Sequence, residues 1–549
     1  MASQTATERR RTPRKSAPAA RKTATAGAGK AAPAGTGKAT PAGAGKTAPA
    51  GARKTATTGA RKAAATPARK RSSNTVQVDG QVPYLTPDER AASGKAARAS
   101  VPLEAHAEFE PQKSRDPVGL LLGQAKTRVP DLVPIRHGRM LVSPFTFYRG
   151  AALVMAADLH STPTTDLRTQ LCGDAHLSNF GAYASPERRL VFDINDFDET
   201  LPGPFEWDIK RLAASFVVAG RDNGFTRKQY RKATLAAAES YRTAMRAFAA
   251  QPILTVWYAH LEMDGAIAEY KATLSPRQLK ERKARIKATE GALAKAHTRD
   301  SLQAIGKLTT VINGKREIIM NPPLVVPLKD MVDLDPDQAR RQIGALLTSY
   351  RKTLQSDRRI LIDHFTLADI AHKVVGVGSV GTRAWILLLE SGVEAGGLLL
   401  QAKEAGQSAL ADYAGKSAYA NQGERVVAGQ HLMQASSDIF LGWLRARSTG
   451  GQYKDYYLRQ LRDWKLSAVI EDMIPPGMEL YARWCGWTLA RAHARAGDRI
   501  AIASYLGKST KFDNAIADFA EAYADQNERD HAALADAVKT GKVQAQSGV

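Results

Sequence analysis

Apolar residues recur along this chain at two spacings, and each spacing predicts its own kind of element. Short apolar runs bounded by polar or glycine residues predict strands at Thr169–Cys172 and Arg189–Ile194, with a loop between them. The same pattern predicts strands at Ala384–Glu390, Gly397–Lys403, Ile439–Ala446 and Tyr453–Leu461. Helical spacing predicts Ala151–Leu159, Ile209–Ala219, Lys228–Ala249, Ile253–Ala272 and the highly charged Pro276–His297. Further helices are expected at Asp335–Gln355, Asp357–Ala371, Gly423–Ala435, Glu479–Ala496, Phe512–Gln526 and Asn527–Thr540. Asp335 is a favourable N-cap, followed by Pro336 in the first helical position. Asn313-Gly314, flanked by β-branched residues, predicts a hairpin within Asp300–Pro323 because Asn-Gly favours the type I′ turn. Strands and helices alternate irregularly, so the expected class is α/β (α+β).

Composition divides the chain unevenly. Residues 1–71 carry 17 Lys and Arg against the single acid Glu8, so +16 of the formal +24 lies in the first eighth of the sequence. The stretch 1–75 repeats Ala-Gly-Ala-Gly-Lys-Ala-Ala-Pro with small variations and holds no aromatic residue. Such a segment buries too little surface to offset the entropy of ordering, and a disordered basic tail is expected. Spaced cations on a flexible chain bind DNA or RNA phosphates without reading bases, and a solubilising tail is the alternative. Residues 76–100, polar and Pro-containing, are expected to be a linker. Cys172 and Cys485 have neither disulfide-framework numbers nor zinc spacing, which fits a reducing compartment. No apolar run is long enough for a membrane span and no apolar signal core is seen, so a cytoplasmic protein is expected, with nucleoid association if the tail binds nucleic acid.

The chemistry concentrates in Leu171-Cys-Gly-Asp-Ala-His-Leu-Ser-Asn-Phe-Gly181 and Leu190-Val-Phe-Asp-Ile-Asn-Asp-Phe-Asp-Glu199. Carboxylates set among apolar residues are costly to bury without a cation, so this density points to a metal or phosphate site. One His among many acids favours magnesium or manganese over zinc, and a metal-dependent hydrolase using His176 is one reading. Arg139 and Arg149, in Arg136–Gly150, are candidate phosphate ligands, with surface or carboxylate-paired roles as the alternative. A second candidate is Gly376-Val-Gly378-Ser379-Val-Gly381, which precedes a predicted strand rather than the helix that a dinucleotide-binding turn requires. Glycines between two strands let backbone amides approach phosphate oxygens.

The order of strand, Gly-Asp-x-His-x-x-Asn loop, strand and Asp resembles the catalytic and metal-binding segments of aminoglycoside phosphotransferases and other protein-kinase-like enzymes. That resemblance implies that Asp174 accepts the proton of a substrate hydroxyl, and His176 matches a His often found two residues after that acid. It implies that Asn179, five residues on, and Asp193, fourteen further, hold magnesium (or manganese), with Asp196 and Asp198 competing with Asp193. Cys172 departs from the pattern, standing where a His usually precedes Gly-Asp. Asp208 would support the loop through backbone hydrogen bonds, or act only as an N-cap. The glycine segment resembles the phosphate-covering hairpin of kinases, implying ATP phosphates at Gly376, Gly378, Ser379, Gly381 and Lys403. Glu424 is then the expected ion-pair partner of Lys403, with Glu404 a rival and Lys465 a second candidate lysine.

In kinases the glycine hairpin comes first; here it follows Asp174 by about 200 residues. The expected fold is therefore a two-lobed, circularly permuted protein-kinase-like one. Residues 101–370 would form the large lobe with the catalytic loop and a helical insertion, 371–475 the small lobe, and 476–549 helices completing the large lobe. Phe-Tyr-Arg-Gly, Cys-Gly-Asp-Ala-His, Asn-Asp-Phe-Asp-Glu, Gly-Val-Gly-Ser-Val-Gly, Gln-Ala-Lys-Glu-Ala and Tyr-Ala-Asp-Gln-Asn-Glu-Arg-Asp resemble the uncharacterised bacterial family DUF2252 across residues 105–540. The expected activity is ATP/Mg-dependent phosphoryl transfer to an unknown hydroxyl-bearing small molecule or protein. The alternatives are an AMP transferase, a nucleotide-binding pseudoenzyme and a nucleoid-associated regulatory protein.

Overall fold

The computed structural model describes residues 85–322, 324–331, 336–374, 380–392, 396–447, 451–461 and 463–548, without side chains for 336–340. All of these belong to one compact unit, Val82–Val549, of mixed α/β structure. The expected tail, and Gly376, Gly378 and Ser379, lie outside the described residues.

The strands are β1 (Arg168–Leu171), β2 (Phe180–Ala184), β3 (Leu190–Ile194), β4 (Leu201–Pro204), β5 (Leu261–Glu262), β6 (Thr309–Ile312), β7 (Lys315–Ile318) and β8 (Val325–Pro327). There follow β9 (Thr366–Lys373), β10 (Ala384–Glu390), β11 (Gly397–Ala405), β12 (Gly442–Arg447), β13 (Tyr453–Gln460) and β14 (Leu466–Ser467). An antiparallel six-stranded sheet runs β12-β13-β11-β10-β9-β8, a four-stranded sheet runs β14-β2-β3-β5, and β1 pairs with β4.

The run Ala384–Leu389 is apolar throughout because both faces of the large sheet are covered. Leu387 and Leu389 join Leu398, Leu400, Tyr350 and Leu354 on one side, below the helix Pro336–Thr353. Ile386 and Leu388 join Leu399, Ile305 and Ile318 on the other, below the helix Ser301–Leu308 and the β6–β7 hairpin. Side chains alternate across a strand, so neighbouring residues enter different cores. Much of the segment after residue 300 thus serves as cover for this sheet.

The acidic strands rest on helices. Phe205–Asp222 is almost wholly buried, with Leu212, Phe216 and Val217 in the main core beside Leu171, Phe180 and Phe192. Arg227–Ala249 packs along Pro475–Ala496. Gly486 makes this approach close, since a Cβ there would strike the carbonyl of Ala237.

Several expected boundaries shift. Part of the expected linker is the helix Pro87–Ser100, started by a capping box between Thr86 and Glu89. The loop expected between Thr169–Cys172 and Arg189–Ile194 contains β2, which pairs with β3. Ile253–Ala272 breaks into two helices, Ile253–Tyr258 and Met263–Ala272, around β5, which pairs with β3. The helix expected over Asp357–Ala371 ends at Ile362, and β9 follows. Leu367, Ile370 and Ala371 fit helical spacing as well as strand spacing, and the open edge of β10 decides between them. The two expected terminal helices are one, Lys511–Lys539.

Candidate functional site

The acidic loop is held from below by Asp208. Its carboxylate accepts the amide protons of Cys172 at 2.8 Å and Gly173 at 3.1 Å, and His493 Nε2 lies 3.2 Å from it. Asp208 stands inside the helix Phe205–Asp222, whose N-cap is Pro204, so it braces the loop instead of capping. Gly173 adopts φ +83°, and a Cβ there would meet the carbonyl of Glu199, so this turn requires glycine.

The turn presents Asp174 to a cavity of about 1150 Å³. Arg211 Nε donates to Asp174 Oδ1 at 2.8 Å, and Nη2, which donates to the Tyr148 carbonyl at 2.9 Å, forms an ion pair with the same oxygen at 2.7 Å. Asn179 Nδ2 donates to the Asp174 carbonyl at 2.7 Å, tying the two ends of the loop together. His176 Nε2 lies 3.7 Å from Asp174 Oδ2, beyond hydrogen-bond distance. Burial lowers the His176 pKa to about 3, so the ring is neutral at ordinary pH. Its Nδ1 has no hydrogen-bond partner among the described residues.

After β3 the chain turns through Asn195-Asp-Phe-Asp-Glu199, which brings Asp196, Asp198 and Glu199 to the same cavity. Lys403 on β11 and Tyr457 on β13 are directly paired across their strands. Both donate to Asp198, Lys403 Nζ to Oδ2 at 2.7 Å and Tyr457 Oη to Oδ1 at 2.6 Å. Asp196 Oδ2 lies 3.8 Å from the same ammonium. Burial alone would lower the Lys403 pKa; the facing Asp196 and Asp198 outweigh it and raise the pKa. Burial raises the Asp196 pKa, helped by the charge of Asp198, while Asp198 is lowered overall because Lys403 outweighs its burial. Burial also raises the Glu199 carboxyl to about 7, against the hydrogen bond it accepts from the Ala409 amide.

Some expected site residues take other places. Asp193 is 1% exposed, bonded to Arg491, and accepts the Ala435 amide at 3.0 Å. It does not line the cavity, and its position inside β3 sets it behind the turn that carries Asp196. Glu424 makes no ion pair with Lys403 among the described contacts; the partners are Asp198 and Asp196. Instead the neighbour of Glu424, Arg425, clamps the turn by donating to the carbonyls of Asp198 at 2.8 Å and Thr200 at 2.7 Å. Glu404 pairs with Arg383 and Lys454, each at 3.1 Å. Gly381 is in the described part, at φ +91°, with its carbonyl bonded to the Val129 amide at 2.8 Å.

The cavity also gathers side chains that the sequence did not single out for it: Arg115, Arg128, Arg136 and Asp158. Arg115 is held by Asp158 at 2.6 Å and by Asp530, and Tyr523 donates to Asp158 at 2.9 Å. The motif Tyr523–Asp530 therefore fixes the cavity wall from behind. Its charged, regular pattern was visible, but its target lies hundreds of residues away.

No cluster of three or more His, Cys, Asp or Glu side chains that could hold a metal ion occurs among the described residues. A magnesium ion bound with a nucleotide needs only one or two carboxylates, with phosphate oxygens and water completing the shell. Asp196, Asp198 and Asn179 line the cavity together, with both oxygens of Asp198 engaged by Lys403 and Tyr457.

No curated protein and no solved structure matches the chain. The family model described as "Uncharacterized protein conserved in bacteria (DUF2252)" matches residues 128–537, from Arg128 in the cavity wall nearly to the end of the last long helix. The chain therefore belongs to the bacterial family DUF2252.

Proposed function

We propose that this cavity is the cleft of an ATP-dependent phosphotransferase with a kinase-like, circularly permuted arrangement. The observation that carries the reading is the bond between Lys403 and Asp198, at 2.7 Å. It joins the strand after the glycine segment to the turn after the acidic strand, which supports reading Lys403 and the acidic turn as parts of one site.

In this reading Asp174 Oδ2 accepts the hydrogen bond of the substrate hydroxyl, while Arg211 on Oδ1 fixes the carboxylate's orientation. The acceptor oxygen forms a bond to the γ-phosphorus, the bond from that phosphorus to the bridging oxygen breaks, and ADP leaves with the electron pair. The acceptor's proton passes to Asp174. Asp196, Asp198 and Asn179 would hold magnesium or manganese, which when bound neutralises charge on the phosphate oxygens. Lys403 reaches the phosphates from the sheet side. Asp193, occupied by Arg491, belongs to the support and not to the metal set.

The test is label transfer by the full chain, with Mg²⁺, to a pool of small molecules and proteins. Transfer from γ-labelled ATP that falls at least about a hundredfold in Asp174→Asn supports the reading. Transfer from α-labelled ATP instead points to AMP transfer. Unchanged γ transfer in Asp174→Asn, or no binding of Mg-ATP, overturns it.

A further inference from the structure

The lining of the cavity also carries Arg128, Arg136 and Arg149. Each has buried N–H groups with no hydrogen-bond partner among the described residues: Nε of Arg128, Nε and Nη1 of Arg136, and Nε of Arg149. Arg136 is 1% exposed, and its one bonded nitrogen, Nη2, donates to Gln124 Oε1 at 2.7 Å and the Gly150 carbonyl at 2.8 Å. Arg128 donates to the Val380 carbonyl. Burial lowers the pKa of all three; Glu199 and Asp198 attract Arg128, Glu199 attracts Arg136, and Glu471 and Asp174 attract Arg149, yet no ion pair forms.

Unpaired guanidinium groups are costly to bury, and each N–H left without an acceptor adds to the cost. By contrast, Arg115 and Arg211, which line or border the same cavity, are fully engaged by Asp158, Asp530 and Asp174. The three arginines with unpartnered N–H groups follow one another along the cavity lining. Arg128 packs against Gly381 at the end of the glycine segment, and Arg136 feels the charge of Arg128. Arg149, bound through the chain to Gly150, feels the charge of Asp174.

We propose that Arg128, Arg136 and Arg149 form a binding track for phosphoryl anions that runs from the end of the glycine segment to Asp174. Planar guanidinium groups match phosphate oxygens bidentately, and a chain of phosphates supplies the missing acceptors along the whole track. The anion is either the nucleotide's own polyphosphate, with Arg149 at the phosphate being transferred, or a phosphate on the acceptor. Only the assignment to the nucleotide rests on the phosphotransferase reading; the anion site itself rests on the arginines.

Two arms separate these. In the first, inorganic tripolyphosphate is titrated, without metal, into the full-length protein and into Arg128→Gln and Arg149→Gln, and the unfolding temperature of the folded body is followed. Arg136, wholly buried, is left intact so that the variants fold, and the basic N-terminal segment is identical in every protein compared. Tripolyphosphate should raise the midpoint of the wild type, and each variant should need at least about tenfold more for the same shift, with Arg149→Lys intermediate. Equal shifts in wild type and variants overturn the track. In the second arm, Mg-ATP, Mg-ADP and AMP are bound by calorimetry. A tenfold loss of Mg-ATP affinity in both variants, with AMP unchanged, assigns the track to the nucleotide. If tripolyphosphate discriminates the variants and Mg-ATP does not bind, the track stands for an acceptor phosphate and the phosphotransferase reading fails.

Discussion

Lys403 Nζ and Asp198 Oδ2 lie 205 positions apart in the chain and 2.7 Å apart in the fold. The ammonium is almost fully buried, and Tyr457 holds the other carboxylate oxygen. This three-residue junction places the turn after β3 against the six-stranded sheet.

Replacing Lys403 by Met leaves Asp196 and Asp198 facing each other without the ammonium that pairs with both, and with the charge of Arg459 still nearby. Because both carboxylates are partly open to solvent, the loss of stability should be about 2 kcal/mol, less than for a wholly enclosed pair. Mg-ATP binding should weaken at least tenfold. Denaturant unfolding and calorimetry check both; a variant as stable as the wild type that binds Mg-ATP equally well would remove Lys403 from the site.

Asp193 and Asp196 should separate cleanly. Both partners of the Asp193–Arg491 pair are 1% exposed, so Asp193→Asn strands a buried cation and should cost about 3–5 kcal/mol with or without magnesium. Asp196→Asn should change stability little and weaken metal-dependent nucleotide binding. The reverse pattern, measured by urea unfolding and magnesium titration, would restore Asp193 as a metal ligand.

His176 should not titrate in the physiological range. Its pKa, lowered by burial to about 3, keeps the ring uncharged above pH 5. The histidine resonances of the folded protein should include one that stays fixed between pH 5 and 8. The activity profile in that window should be unaffected by His176→Gln, apart from a uniform drop. A titrating His176 would contradict the buried geometry.

Asp438 gives a pH dependence of stability with a defined sign. Burial raises its carboxyl from 3.8 to about 6, although the Phe440 and Gln460 amides donate to it. Between those values the folded state keeps a proton that the unfolded chain has lost. Its contribution to stability therefore falls as pH rises from 3.8 to 6 and is level above. Asp438→Asn, which stays neutral, should gain stability relative to the wild type through that window. Parallel stability curves would refute the shift.

The basic N-terminal segment offers a prediction independent of the cleft. We propose that residues 1–75 bind nucleic acid through phosphates, so their removal should abolish retention on a DNA column and flatten its steep salt dependence. Retention unchanged by the deletion would leave the segment without this role. No helix among the described residues is long and apolar enough to cross a membrane.

The local features were legible in the sequence. The Asn313-Gly314 hairpin forms with φ +50° and +77°, as that dipeptide dictates. β3, β10, β11 and β13 lie within a few residues of their apolar runs, and Gly173-Asp174 sits in the turn that its glycine permits. The DUF2252 motifs were likewise readable from short stretches. What escaped depended on partners distant in the chain. β9 became a strand because β10 had an open edge, and Asp193 is paired with Arg491, which arrives from a helix near the C-terminus. Lys403 took Asp198 instead of Glu424 because the cross-strand pairing with Tyr457 aims both at the same turn.

By itself, the sequence determined which residues are apolar, which glycines permit tight turns and where the acids cluster, since these follow from side-chain chemistry and local backbone preference. Only the tertiary structure decided which acid faces the cavity, which arginine is paired and which is left with unsatisfied N–H groups. Those outcomes depend on distances of a few ångströms between segments hundreds of residues apart, and burial makes each such pairing, or its absence, energetically consequential.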